Sequence, residues 1–168
     1  MTPIAVVVMG VSGVGKSTVG SVLARRLGWT FLEADDDHSP ESVAAMARGE
    51  PLDDAQRDVW IAAVRDRVAR HLAAGENVVL ACSALRHAHR NVVRRAGPRV
   101  EFVHLVAPRA VIERRLAERS GHFAGPGLLP SQLEDLEMPR AALEVDATRP
   151  VPVIVEHIIA ALGLDAAR

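Results

Sequence analysis

Residues 10–17 read Gly-Val-Ser-Gly-Val-Gly-Lys-Ser and fit the spacing G-x-x-x-x-G-K-[ST]. Glycines at Gly10, Gly13 and Gly15 let successive backbone N–H groups, from Val11 through Ser12 and Val14, turn inward around an anion. A helix starting behind them adds its partial positive charge. In this pattern the Lys16 ammonium reaches the β- and γ-phosphates of a nucleoside triphosphate such as ATP. The Ser17 hydroxyl takes a place on Mg²⁺, and Thr18 is a secondary phosphate contact. At average residue frequencies an accidental match in a chain of this length occurs less than about 1% of the time. The pattern identifies a cosubstrate and leaves the reaction open.

A motor ATPase or switch usually carries a further buried strand that ends in an acidic residue supporting the metal. Val78–Ser83 and Val103–Ala107 both end without one. The carboxylate at hand is Asp35, just beyond another short strand, where it can accept a proton from an attacking hydroxyl or hold a metal-bound water. Asp36 and Asp37 read as surface or capping residues. An anionic acceptor calls for arginine, whose planar guanidinium pairs bidentately with a carboxylate. Arg57, Arg86 and Arg119 each flank a strand edge or the glycine- and proline-rich stretch Ser120–Pro130.

The elements that must position these groups alternate. Ile4–Met9, Trp29–Glu33, Asn77–Cys82, Val100–Val106 and Leu143–Asp146 read as five short strands, the first and third of them continuous apolar runs. Helical spacing of apolar residues predicts helices over Lys16–Leu27, Pro40–Arg48, Asp54–Ala74, Ala84–Arg95, Pro108–Arg119 and Pro152–Leu162. Ser120–Pro130 reads as a mobile loop. This order predicts a three-layer α/β fold, a parallel five-stranded sheet flanked by helices. The ligand then sits outside the carboxyl ends of the strands, where Gly10, Asp35, Ser83 and Ala107 all fall. Asp146–Pro150 lies on the same edge and is a candidate for the adenine pocket.

A length of 168 residues fits one domain, 1–168. With 20 basic against 21 acidic residues, nothing marks a nucleic-acid or anionic-membrane partner. The lone cysteine, Cys82, permits no intramolecular disulfide, and the first apolar run is too short for a leader or a membrane span. A cytoplasmic location is the expectation.

Several segments together resemble the gluconate kinase (gluconokinase) family of P-loop carbohydrate kinases. Met9–Ser17 is similar to that family's opening, and Ala34-Asp35-Asp36-Asp37-His38 to its Asp-x-x-His element. The stretch from Met46 through Gly49-Glu50-Pro51-Leu52 to Arg57 and Trp60 resembles its Met-x-x-Gly-x-Pro-Leu segment. Cys82-Ser83-Ala84-Leu85-Arg86 and Arg119-Ser120-Gly121-His122-Phe123 resemble two further elements. The likeness runs from about residue 4 to residue 140. It departs at Ser42, Ala45, Gln56 and Val59, where the family often has Asn, Lys, Asp and Pro.

The resemblance implies a P-loop kinase fold of the nucleoside-monophosphate-kinase type, with an acceptor-binding helical insert at about 38–74 and a mobile lid at about 119–136. It also implies transfer of phosphate from ATP to the 6-hydroxyl of D-gluconate, with Mg²⁺, in a homodimer. Carried over, Asp35 is the base, His38, Arg57 and Arg86 hold the sugar acid, and Arg119 and His122 sit on the lid. A kinase of another small acceptor, shikimate-like or a nucleotide, and a non-enzymatic ATP-binding switch are the competing readings.

Overall fold

The computed structural model describes residues 2–119 and 126–165. Five parallel strands are ordered β2-β3-β1-β4-β5: β1 (Ala5–Met9), β2 (Thr30–Glu33), β3 (Val78–Ala81), β4 (Val100–Val106) and β5 (Leu143–Asp146). The central strand β1 pairs Ala5 with Val78 on one side and with Val100 on the other. All five residues of β1 are fully buried, which explains why its sequence is apolar throughout instead of alternating.

Period-two alternation divides the core between the two faces. Val6 and Val8 pack with Leu23 of α1 (Lys16–Leu27) and with Ile154 and Ile158 of α7 (Val151–Leu162). Ala5, Val7 and Met9 face the other layer, with Ile61, Val64 and Val68 of α3 (Asp54–Ala73) and Val93 of α4 (His87–Arg94). The helix α3 owes its start to a capping box: Asp53 accepts from the Gln56 N–H and Gln56 accepts from the Asp53 N–H. A small satellite cluster, Met46, Leu52 and Leu128, ties α2 (Pro40–Ala47) to the short 3₁₀ turn Pro126–Leu128.

The carboxyl ends of all five strands share one edge. The chain diverges on either side of β1, so the crevice forms at its end, where Gly10 begins the phosphate loop.

Two elements differ from expectation. The helix predicted from Ala84 begins at His87, because Ala84 takes a left-handed φ of 42° and the Arg90 guanidinium binds the Ala84 and Leu85 carbonyls. Those contacts hold the chain out of the helix for one more turn. The irregular stretch expected to run to Pro130 ends sooner: α6 spans Leu129–Asp135 and carries Pro130 in its first turn, where the missing N–H of proline costs nothing. The breaker in the sequence is a starter in the fold. Between them α5 covers Arg109–Glu118. Of the lid expected at about 119–136, Ser120–Gly125 lies outside the described residues, and so does the expected mobility of that stretch. No helix among the described residues is long and apolar enough to cross a membrane.

Candidate active site

The phosphate loop needs its glycines for space as well as for backbone conformation. Gly13 has φ of +83°, and a Cβ there would lie 2.6 Å from Leu116 Cγ of α5. Val14 and Val11 are buried beneath the loop, and Gly15 (φ 109°) starts α1 with its first N–H groups unclaimed by any side-chain cap. That arrangement leaves a helix N-terminus facing the crevice.

Lys16 folds back so that its Nζ donates to the Val11 carbonyl at 3.0 Å. Burial lowers its pKa, while the carboxylates of Asp35 and Glu33 pull it back up. The Ser17 hydroxyl donates to Glu33 Oε2. Glu33 is pushed above the usual carboxylate range, by burial first and by the nearby Asp35 charge, against the Ser17 hydrogen bond and Lys16. Two carboxylates and one ammonium therefore meet at the ends of β1 and β2.

Asp35 sits on the 3₁₀ turn Ala34–Asp37, which α3 grips at two points. Trp60 Nε1 donates to the Ala34 carbonyl at 2.8 Å, and Arg67 donates to the Glu33 carbonyl and forms an ion pair with Asp37 Oδ2. His38 lies face to face with Trp60, ring centroids 4.6 Å apart and planes 12° apart, with its Nε2 3.6 Å from Asp35 Oδ1. The indole thus orients the turn through its N–H and the histidine through its face. Lys16, Ser17, Asp35, His38 and Arg119 all line one cleft.

The same cleft is lined by Arg57 from α3 and Arg86 from the loop after β3. Both guanidiniums converge on Asp135 of α6: Arg57 Nη1 lies 2.8 Å from Oδ2, and Arg86 Nη2 lies 2.7 Å from Oδ1. Arg86 also reaches Asp54 at 2.7 Å, and these hydrogen bonds raise its pKa further. Burial lowers the pKa of His89, which lies beside the pair.

A second cavity borders the phosphate loop, lined by Thr18, Arg115, Arg119, Ala147 and Arg149. Arg115 donates to the Val14 and Ala147 carbonyls at 2.9 and 2.7 Å, joining the phosphate loop to the segment after β5. Of the stretch Asp146–Pro150, Ala147 and Arg149 line this cavity, while Asp146 instead accepts from the N–H and hydroxyl of Thr148.

The sequence-predicted residues Lys16, Ser17, Asp35, His38, Arg57, Arg86 and Arg119 are brought together here, and Thr18 borders the second cavity. His122 lies outside the described residues. Sequence reading missed Glu33, which ends β2 on the same edge as Asp35. It also missed Gln132, whose Oε1 accepts from the Ser12 N–H at 2.6 Å, and Asp135. The last two are three residues apart on α6, the helix that the glycine- and proline-rich composition concealed. None of the departures Ser42, Ala45, Gln56 and Val59 lines the cleft. Ser42 and Gln56 serve helix caps, and Val59 is exposed.

A family model described as an AAA domain matches residues 6–147. Over 95% of this chain and 91% of its own length, the gluconokinase of Gluconobacter oxydans is 41% identical. The probable gluconokinase of Rattus norvegicus is 40% identical over 96% of this chain and 98% of its own. A gluconokinase of Sinorhizobium meliloti 1021, solved by crystallography, superposes with a TM-score of 0.84 at 41% identity, covering 96% of this chain and 93% of that one. The chain belongs to the gluconokinase family. That membership makes it a P-loop kinase and sets aside the switch and the other-acceptor kinases.

Proposed function

We propose that the protein transfers the γ-phosphoryl group of ATP to the 6-hydroxyl of D-gluconate, giving 6-phospho-D-gluconate and ADP. The observation that carries this reading is one cleft lined both by Lys16 and Asp35 and by a guanidinium pair, Arg57 and Arg86, that converges on a carboxylate. A sugar acid has a hydroxyl and a carboxylate at opposite ends of its chain and matches both.

In this reading the gluconate carboxylate lies on the arginines and the 6-hydroxyl beside Asp35. The oxygen attacks Pγ, a new O–P bond forms as the bond to the β,γ-bridging oxygen breaks, and the hydroxyl proton passes to Asp35. Lys16 stabilises charge on the β- and γ-phosphate oxygens, with the N–H groups at the start of α1. Arg119, which borders both cavities, reaches the phosphates from the other side, and His122 is assigned with it to the lid. The cavity between Thr18, Arg115 and Ala147 suits the nucleoside end of ATP.

The oxygen donors at the Ser17 hydroxyl, with Glu33 hydrogen-bonded behind it and Asp35 beside it, suit a hard divalent cation. Among the described residues no group of three or more His, Cys, Asp or Glu forms a cage. Mg²⁺ here would be held by Ser17 together with phosphate oxygens, and when bound it neutralises the charge on those oxygens. Glu33 would orient the hydroxyl.

The test is ADP release by the purified protein with Mg-ATP, comparing gluconate, shikimate, AMP and no acceptor. Stimulation by gluconate alone is the expected result, and stimulation by shikimate or AMP instead would overturn the reading. Arg57→Ala is expected to raise KM for gluconate by about 10- to 100-fold, the value of a charge-assisted hydrogen bond lost to an ionised group. KM for ATP should stay unchanged, because Arg57 pairs with Asp135 and takes no part in the second cavity, where the nucleoside end is placed.

A further inference from the structure

We propose that Asp135 is an internal competitor for the acceptor's carboxylate and sets the affinity of the site for sugar acids. Each oxygen of this one carboxylate is taken by a different guanidinium: Oδ2 by Arg57 Nη1 at 2.8 Å, Oδ1 by Arg86 Nε at 3.2 Å and Nη2 at 2.7 Å. A substrate carboxylate would be held by the same forked donors. The inference rests on the proposed function, which assigns these two arginines to the acceptor.

Burial and connectivity separate this cluster from an ordinary surface ion pair. The Arg57 and Asp135 side chains are only 16% and 20% exposed, and they belong to different elements, α3 and α6. Asp54 adds a second carboxylate on Arg86 from an 80% exposed position. The two arginines are thus already matched by two carboxylates before any acceptor arrives. A sugar acid entering as a third carboxylate would find neither of these guanidiniums unpaired.

The consequence is an exchange. For the acceptor carboxylate to bind both guanidiniums, that of Asp135 must leave them and turn to water at the cleft mouth, so one anion replaces another. Breaking the Asp135 contacts subtracts from the affinity that the arginines would otherwise give. An acceptor with no carboxylate has nothing to exchange, so Asp135 keeps the arginines paired against neutral polyols.

Removal of the charge at this position should therefore tighten binding. In Asp135→Asn, which keeps the shape and can still hydrogen-bond, KM for gluconate is expected to fall about fivefold, the effect of one partly exposed ion pair. KM for ATP should not change. Asp135→Thr should behave likewise, and Asp135→Glu, which restores a carboxylate, should return KM toward the wild-type value. Glu134→Gln, one residue away and exposed, controls for the net charge of α6 and should leave both constants alone. If Asp135 merely holds α6 against α3, the Asn and Thr variants will show unchanged or raised KM for gluconate, and that result overturns the proposal alone. Absence of gluconate-dependent turnover in the wild-type protein overturns the functional reading, and this proposal with it.

Discussion

Lys16→Met should lower kcat by about 10³-fold, the range seen when one preorganised donor to a developing oxyanion is removed. The argument is electrostatic. The ammonium is turned into the fold, where it donates to the Val11 carbonyl, and its field at the phosphates is weakly screened by water. In the transition state the β- and γ-phosphate oxygens carry more charge on the leaving side than in the ground state, so the loss appears chiefly in kcat. Methionine fills most of the same volume, which keeps the loop packed.

A second readout separates this effect from damage to folding. Because burial moves the Lys16 pKa downward, the folded protein binds that proton less tightly than the unfolded chain does. The unfolded state then holds more protons between the two pKa values, and stability rises with pH across that window. At neutral pH the charged lysine costs stability. Lys16→Met removes the cost, so its thermal unfolding midpoint without nucleotide should match or exceed that of the wild type while turnover collapses. A variant that lost activity through misfolding would melt earlier.

The elements most legible in the sequence are those whose residues answer to a single demand. Val6, Val7 and Val8 have to be apolar on both faces, so β1 announces itself, and the loop from Gly10 to Ser17 follows from the geometry of phosphate binding. Lys16, Ser17 and Asp35 could be placed because a parallel sheet forces every strand's carboxyl end onto one edge. The start of α4 was not legible, since it depends on Arg90, buried 5 and 6 residues along the chain from the carbonyls it binds. Nor was α6, where Pro130 carries opposite meanings in a loop and in a first helical turn. Gln132 and Asp135 went unnoticed for that reason. Their partners, Ser12, Arg57 and Arg86, lie 120, 78 and 49 residues away, and no local pattern encodes such contacts.

Asp35→Asn should reduce kcat by about 10³-fold with ATP binding retained, within the range for loss of a positioned general base. The substitution preserves size and one oxygen acceptor, and the turn it sits on is held by Trp60 and Arg67 independently of the Asp35 side chain. What is lost is the capacity to take a proton. Lys16 and the phosphate loop are untouched, so nucleotide affinity, measured by displacement of a fluorescent ATP analogue, should survive. The same variant separates two roles for the carboxylate. If Asp35 takes the proton of the 6-hydroxyl, the defect persists at any Mg²⁺ concentration, because an amide cannot serve as base. Were it there to hold a metal-bound water, the deficit would be one of metal occupancy, and raising Mg²⁺ would restore the rate. We expect the first result. Glu33 makes the contrast sharp: its carboxylate already backs Ser17 at the metal position. Recovery of wild-type turnover at high Mg²⁺ would transfer Asp35 from proton acceptor to metal support.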